Sequence, residues 1–424
     1  MIHFLLKGLW RDKSRSRLPI IVVATGVMLT VFMHAYITGF MGDTIEMNVR
    51  FTNGHVKVMS RAYAELSDQI PNDLALLNTD ETISLLQQKF PDLEWTDRIQ
   101  FGGLVDVPDV KGETKAQGPA IGFAIHLLNT QKGDVDRLQL AKALKMGRLP
   151  QQPTEAMLSE EFAKKLGLKI GDIFTLMGSS MNGSMTMYNF TLAGTVVFGV
   201  EIMDRGSIIA DIEDIRQALE MQNASGELLG FFKDGFYDDE KADEIAAEFN
   251  AAFGNHDDPY APIMKSLSQQ GSMGLYVEMA KLWSFYVSLI FIIAMSLVLW
   301  NAGLLGGLRR YGEVGLRIAI GEEKMHVYKT MIYESLLIGI AGTIIGTIFG
   351  LSFAYLLQRF GLDISGAMEG ATLMFPAVIK ARITITDYYI GFFPGIVSTV
   401  LGTVLSGIGI FKRQTASLFK ELES

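Results

Sequence analysis

Residues 18–42 read LPIIVVATGVMLTVFMHAYITGFMG, and this run contains no Asp, Glu, Lys or Arg. A helix of about 20 apolar residues is long enough to cross the roughly 30 Å hydrocarbon core of a bilayer. Three later stretches, 282–308, 335–358 and 388–411, are also free of charged residues and of comparable length. The sequence therefore predicts four membrane-spanning helices.

Basic residues are concentrated on one side of these four stretches. They precede the first span, lie between the second and third, and follow the fourth: Lys7, Arg11, Lys13, Arg15, Arg17, Arg309, Arg310, Arg317, Lys324, Lys329, Lys412, Arg413 and Lys420. Because Lys and Arg accumulate in cytoplasmic loops, both ends of the chain and residues 309–334 are predicted to be cytoplasmic. This N-in/C-in topology is typical of a bacterial inner-membrane protein and places residues 43–281 outside.

The spans divide the chain into segments with distinct expected roles. In order, we expect a cytoplasmic amphipathic helix (1–17), the first span (18–42), an extracytoplasmic domain (43–281), the second span (282–308), a cytoplasmic loop (309–334), the third span (335–358), an extracytoplasmic loop (359–387), the fourth span (388–411) and a cytoplasmic tail (412–424). The first span is too long for a cleaved signal peptide and lacks a small-x-small site, which favours an uncleaved anchor. The alternative for the start of the chain is a basic tail without regular structure.

The composition agrees with a mixture of membrane and soluble parts. Hydrophobic residues make up 49% of the chain and charged residues 20%, which is too apolar for an ordinary soluble protein. The formal net charge is −9, and residues 43–281 carry the acidic excess, which argues against nucleic acid as a partner. The chain has no cysteine, so disulfides and thiolate sites are excluded.

Residues 43–281 are long enough to bury a core of their own, and their patterns are mixed. Alternation at 55–59 and a β-rich run at 190–200 predict strands, and 160–166 is predicted to be a short helix leading through a turn into a strand at 173–177. Segments 80–90, 212–221 and 239–253 have amphipathic patterns that predict helices. The predicted fold class is therefore a membrane α-helical protein with a large α+β extracytoplasmic domain between the first two spans.

A predicted hairpin in this domain has an unusual number of methionines. Asn182-Gly183 is a strong turn signal, and Met177, Met181, Met185 and Met187 surround it. These side chains either form an adaptable apolar surface for a partner or fold back onto the core of the domain. A thioether copper site is a third interpretation that no other residue supports.

The sequence contains no pattern typical of an enzyme. Its six histidines are scattered without metal-ligand spacing, and no G-x-S-x-G elbow or G-x-x-x-x-G-K-[ST] phosphate loop is present. His34 lies inside the first span, where a titratable group is a functional candidate by default. A neutral imidazole bonded to a neighbouring helix is the alternative that we favour.

Two features stand out between the second span and the end of the third. The segment from Arg309 to His326 combines basic and acidic residues on a short loop, which suits either docking of a cytoplasmic protein or a solvated connector. In the third span Gly339, Gly342, Gly346 and Gly350 follow Glu334, and the last three lie on one helix face. Such a stripe allows another helix to approach closely.

The order of residues in this loop resembles that of the FtsX-like permease family, whose loop runs approximately R-x-x-E-I-G-x-L-R-A-I-G after an Asn-containing span end. The matching residues here are Arg310, Glu313, Gly315, Arg317, Ala319 and Gly321, with Asn301 upstream. Val314 replaces the family's Ile, and one residue is missing before Leu316. The third span, with its Glu and spaced glycines, resembles the same family.

The extracytoplasmic block resembles related permeases. GHVKV at 54–58 is similar to the GHIQV segment of lipoprotein-releasing permeases of the LolC/LolE type. GRLP at 147–150, EAMLS at 155–159 and LKIGD at 168–172 resemble the core of MacB-type periplasmic domains. The family's Pro-Ala-Arg after the fourth span is replaced by Phe411-Lys412-Arg413.

The resemblance implies a non-catalytic subunit of a mechanotransmitting ABC transporter. It implies a separate ATPase dimer that holds ATP and magnesium, a second permease subunit, a possible periplasmic adaptor or carrier, contact with membrane lipid, and no cofactor in this chain. The ATPase-coupling residues it implies are Arg310, Glu313, Gly315, Arg317, Ala319, Gly321, Glu322 and Lys324. Export of lipoprotein or another lipid-linked substrate is the leading function; a signalling subunit for cell-wall hydrolases and an efflux-pump permease are the alternatives.

Overall fold

The structure is a computed structural model that describes residues 13–109, 111–129, 132–233, 235–253, 258–271, 273–308, 311–363 and 378–412. By its internal contacts the chain forms two compact units. The membrane unit contains the apolar helices, and the soluble unit contains Gly42–Met279.

Three of the described helices are long, with 36 or 37 residues each. Their bounds are α1 Lys13–Asn48, α2 Arg61–Glu65, α3 Thr79–Lys89, α4 Asp134–Arg137, α5 Leu140–Ala143, α6 Glu160–Leu166, α7 Glu201–Asp204, α8 Ile212–Ala218, α9 Asp239–Phe253, α10 Met273–Leu308, α11 Tyr311–Ala319, α12 Lys324–Phe360 and α13 Thr399–Lys412. Within the described ranges, four helical segments are long and apolar enough to cross a membrane: Arg17–Asn53, Met273–Gly306, Lys324–Phe360 and Ile385–Ile408. The prediction of four apolar spans is thus confirmed, whereas the N-in/C-in orientation stays a prediction.

The helices extend beyond the charge-free stretches. Helix α10 begins at Met273 and helix α12 at Lys324, so the connection between them is shorter than the predicted loop 309–334. Charged residues such as Lys281 and Glu334 ended the predicted spans, but they lie inside α10 and α12, because a charged side chain does not by itself interrupt the backbone hydrogen bonds of a helix.

The fourth span is irregular. It begins with a 3-10 turn at Ile385–Tyr388, passes through a π-helical turn at Phe393–Ser398 and becomes α-helical only at Thr399. Pro394 lies in the π-helical turn, where its missing N–H removes one backbone hydrogen bond.

Glycines allow the helices of the membrane unit to approach closely. A Cβ atom on Gly342 would lie 2.7 Å from Val23 of α1, and one on Gly350 would lie 2.9 Å from Val31. Gly346 faces the same helix, where a Cβ atom would lie 2.5 Å from the carbonyl oxygen of Ala24. Helices α1 and α12 therefore pack with their backbones in near contact.

The remaining glycine of the predicted stripe has a different neighbour. Gly339 faces the backbone of Gly395 and Ile396 in the fourth span. A second close crossing, which the sequence did not predict, joins α10 to α13: a Cβ atom on Gly402 would lie 2.5 Å from the Trp300 carbonyl oxygen, and one on Gly303 would lie 2.8 Å from that of Thr399.

The soluble unit is built on a mixed sheet. Its strands are β1 Val56–Ser60, β3 Leu93–Pro108, β4 Thr114–Ile125, β5 Leu144–Gly147, β6 Glu155–Ser159, β7 Ile173–Ser179, β8 Met185–Val196, β9 Ser207–Asp211, β11 Glu227–Phe232 and β12 Pro262–Ser266; the short strands β2 Leu76–Leu77, β10 Ala224–Ser225, β13 Leu362–Asp363 and β14 Val378–Ile379 lie outside this sheet. The strand order is β12-β1-β11-β3-β4-β9-β6-β8-β5, and β7 pairs with β3 and β8. Most of the strand pairs are antiparallel and helices connect several of the strands, so the prediction of an α+β domain is confirmed.

Strand β3 links the two halves of this unit. Its first part pairs with β11 and its second part with β4 and β7. A core cluster around Trp95 and Phe249 lies beside the first part, and a larger one around Phe101, Phe162 and Phe190 lies beside the second. The long strand therefore belongs to both cores.

A buried ion-pair cluster also lies on β3. Asp97 accepts hydrogen bonds from His126 Nε2 at 2.7 Å and from an Arg216 guanidinium nitrogen at 2.5 Å. Burial of Asp97 raises its pKa, but the hydrogen bond from His126 and the charges of His126, Arg216 and Lys132 outweigh burial and lower the pKa to about 2. The ionised carboxylate thus stabilises the folded domain.

We expect Gly346→Ala to destabilise the membrane unit by roughly 1–3 kcal/mol, because the new methyl group forces α1 and α12 apart. The measurement is thermal loss of helical circular dichroism in detergent. Gly306→Ala is the matched control, since a Cβ atom there meets no neighbour within 4 Å. Equal melting temperatures for the two variants would contradict the packing described here.

We expect the soluble unit to lose stability as the pH falls from about 4 to 2. The pKa of Asp97 is lower in the folded state than the ordinary 3.8, so its contribution is present above pH 4 and disappears as the carboxylate is protonated. The lost contribution is about 2 kcal/mol. Tryptophan fluorescence during urea unfolding at several pH values measures this loss, and Asp97→Asn should remove most of it; an unchanged pH dependence in that variant would refute the assignment.

Candidate functional site

Helix α11 is held against α12 by a small apolar contact. Val314 and Ile318 lie one turn apart on α11 and pack against Val327 and Met331 of α12. This spacing places the apolar side chains on one face, so the helix forms because that face is covered. Among the predicted coupling residues, Arg310 lies outside the described residues, and Gly315 is buried.

The helix ends at a glycine required by its geometry. The Gly321 N–H donates to the Ile318 carbonyl, and the Glu322 N–H donates to that of Arg317, at 3.1 and 3.0 Å. This pair of bonds is the Schellman motif, which needs a residue with positive φ, and Gly321 has a φ of 102°. The glycine of the loop motif therefore stops α11 and turns the chain into α12.

An ion pair closes the same turn. Arg317 donates to both carboxylate oxygens of Glu322, through Nε and a terminal nitrogen, each at 2.6 Å. The hydrogen bonds to Glu322 raise the pKa of Arg317, and the same bonds lower the pKa of Glu322. Both side chains are about one-third exposed. Arg317 thus has a partner within its own chain, which the sequence did not predict.

The opposite face of α11 is exposed and partly apolar. Leu316 is 53% exposed, Ile320, which directly follows the last residue of α11, is 78% exposed, and the exposed Glu313 lies on the same stripe. Their spacing of three and four residues corresponds to one side of a helix. The loop motif indicated Glu313 but not Leu316 and Ile320, although their spacing along the helix would have indicated them. Ala319 is exposed and Lys324 is half-buried.

The methionine hairpin is formed by β7 and β8, with Met177 opposite Met187 in the register. Met181 packs against the core, whereas Met185 and Met187 are 73% and 62% exposed. The four methionines therefore divide between the core and the surface.

His34 of α1 contacts the start of the fourth span. Its Nδ1 atom lies 2.7 Å from a carboxylate oxygen of Asp387, which is fully buried and also accepts hydrogen bonds from the backbone and hydroxyl of Thr384. Groups of three His, Asp or Glu side chains that suit a metal ion are not found in the described part of the chain.

Comparison with known proteins agrees with the resemblance seen in the sequence. Residues 285–415 match the model of the family described as FtsX-like permease C-terminal. The lipoprotein-releasing system transmembrane protein LolC of Haemophilus influenzae is 26% identical over 210 residues, which are 48% of this chain and 50% of that protein. The match thus covers about half the length of this curated relative.

A solved structure was also found. The periplasmic region of MacB from Actinobacillus actinomycetemcomitans is 13% identical to this chain, covers 52% of it and 92% of the MacB region, and aligns with a TM-score of 0.34. The family match and the LolC similarity confirm the resemblance inferred from the loop and the third span. The similarity to FtsX-like permeases is thus located in residues 285–415 of this chain.

Proposed function

We propose that this chain is the transmembrane subunit of an ABC transporter whose ATP hydrolysis takes place in a separate ATPase dimer with ATP and magnesium. The observation that supports this most directly is the exposed stripe of Glu313, Leu316 and Ile320 along α11 and its C-terminal end. Exposed apolar side chains beside a charge on a short interhelical loop are suited to burial in a groove of a partner protein. The chain itself is proposed to be non-catalytic.

Movement of the docked helix would be passed on through rigid contacts. Val314 and Ile318 attach α11 to α12, and the Arg317–Glu322 pair braces the turn between them. Helix α12 has 37 residues and is about 55 Å long, and its glycine stripe contacts α1. An ATPase that moves α11 would therefore move α12 and α1 together, which is the mechanotransmission we propose.

The proposed cargo is a lipoprotein or another lipid-linked substrate, released from the bacterial inner membrane with Gly42–Met279 on the outer side. The similarity to the LolC protein supports this choice. A second permease subunit, identical or paralogous, would complete the membrane part, and an extracytoplasmic carrier or adaptor would receive the cargo. Purification from membranes tests this: acylated protein should copurify with the complex, whereas a cell-wall hydrolase in its place would indicate a signalling subunit and overturn the export proposal.

We expect the double variant Leu316→Glu, Ile320→Glu to lose copurification with the ATPase and to reduce ATP hydrolysis of the complex at least tenfold, because two carboxylates would be buried in the partner's groove. Ile202→Glu is a matched control, since Ile202 is 72% exposed on the soluble unit. Normal ATP hydrolysis by the α11 variant would rule out docking on this face.

The ion pair is tested by exchanging its charges. Arg317→Glu alone should lower ATP hydrolysis of the complex severalfold, because two carboxylates then face each other across the turn. Adding Glu322→Arg should restore most of the activity if Arg317 acts by bracing the turn. If the double exchange stays as inactive as the single variant, Arg317 contacts the ATPase itself, as the sequence-based hypothesis had it.

A further inference from the structure

Buried polar side chains surround the place where α1 ends and the sheet of the soluble unit begins. Helix α1 passes into a π-helical turn at Val49–Asn53, and β1 starts three residues later. Glu46, His55 and Arg98 are all buried at this junction. None of them belongs to the loop or the hairpin discussed above.

The hydrogen bonds of His55 determine which of its two ring nitrogens carries the proton. Its Nδ1 atom lies 2.7 Å from the backbone nitrogen of Phe232, and its Nε2 atom lies 2.9 Å from a carboxylate oxygen of Glu46. A backbone N–H only donates, so Nδ1 must accept and the ring proton must be on Nε2, where it donates to Glu46. The imidazole thus joins the last turns of α1 to strand β11.

Arg98 of β3 approaches the same junction from the other side. Its guanidinium donates to the carbonyl oxygens of Arg50, at 3.2 Å, and Phe51. These carbonyls lie in the π-helical turn at the end of α1, where helical carbonyls lack partners and carry partial negative charge. Arg98 is also 4.0 Å from the buried carboxylate of Asp134 at the start of α4, which offsets part of its charge.

Backbone and apolar contacts stiffen the turn between these bonds. The Gly54 N–H donates to the Val49 carbonyl at 2.8 Å, and Gly54 has a φ of 64°, a conformation that favours glycine. The Phe51 ring packs edge-on against Phe123 and Phe198, with centroids 4.7 and 5.3 Å apart. The end of α1 is therefore held to the sheet by directional bonds and by close packing.

We propose that Glu46, His55 and Arg98 are positioning residues that make this junction a rigid joint, through which movement of α1 is passed to the soluble unit. This inference rests on the proposed function. A joint held only by apolar side chains can slip, since such contacts have no preferred direction. Hydrogen bonds to fixed backbone atoms resist both rotation and sliding, because either motion leaves a buried polar group without its partner.

The test measures movement of the soluble unit directly. The sequence has no cysteine, so spin labels can be placed on cysteines introduced at Phe360 and Ile202, each 72% exposed. Distances between the labels are measured in the complex with its ATPase in nanodiscs, without nucleotide and after trapping with ATP and vanadate. ATP hydrolysis is measured on the same samples.

We expect Glu46→Leu, which removes the acceptor of the His55 Nε2–H, His55→Asn and Arg98→Lys to keep at least half of the wild-type ATP hydrolysis and to lose more than half of the nucleotide-dependent distance change. Asn at position 55 retains an acceptor towards Phe232 but cannot reach Glu46. Glu155→Gln is the control, because the buried Glu155 carboxylate on β6, three strands away from β3, accepts a hydrogen bond from Arg148. It should leave the distance change intact.

Two outcomes would overturn the proposal. One rejects the joint alone, and the other rejects the proposed function as well. If the wild type moves and the three variants move equally far, the joint is not needed and the proposed function stands. If the wild-type complex hydrolyses ATP without a distance change, or does not hydrolyse it, the proposed function fails and the joint with it.

A second measurement uses the unsubstituted chain, so it does not require any variant to fold. Nitrogen chemical shifts of His55, measured by solid-state NMR on the full chain in lipid, should show a neutral ring protonated on Nε2. A ring protonated on Nδ1, alone or together with Nε2, would contradict the bonding to Phe232 and overturn the joint as described.

Discussion

The membrane unit depends on the near contact of two backbones, those of α1 and α12. In a bilayer the hydrophobic effect does not draw helices together, because lipid tails are as apolar as the side chains. Association must come from close packing, and the glycines of α12 provide it by accepting the valines Val23, Val27 and Val31 of α1. Helix α11 is positioned in turn by its contact with α12, so the candidate docking surface depends on the same packing.

Much of the architecture could be predicted from sequence, because it follows from local patterns. Charge-free length is sufficient to indicate a span, and the bounds of α6 and α9 follow from amphipathic spacing and their flanking residues. Strands β3 and β4 were missed. Gly102-Gly103 interrupts the apolar alternation of β3, and exposed polar residues occupy the start of β4, so neither has the pattern of a half-buried strand.

The candidate site was predicted only in part, because only some of its features follow from local patterns in the sequence. The order of residues in the loop located α11, and the glycine at its end has a clear geometrical reason in the structure. Partners that lie far apart in the chain left no local signal: His34 and Asp387 are 353 residues apart, and Arg98 meets carbonyls 47 and 48 residues earlier. Only the fold brings such groups together, and a single sequence contains no periodicity that reveals them.

The crossing of α10 and α13 has a mechanical consequence of its own. At Gly303 and Gly402 no side chains interlock, and interlocking ridges and grooves are what give two helices a preferred angle. Only 11% of the most apolar stretch of the second span is buried, against 56% in the fourth. Helix α10 has a second contact at Leu299, which is fully buried with Val23 and Val27 of α1, whereas α1 and α12 contact each other along several turns. Packing within this chain therefore constrains the tilt of α10 less than it constrains the tilt of α1 and α12.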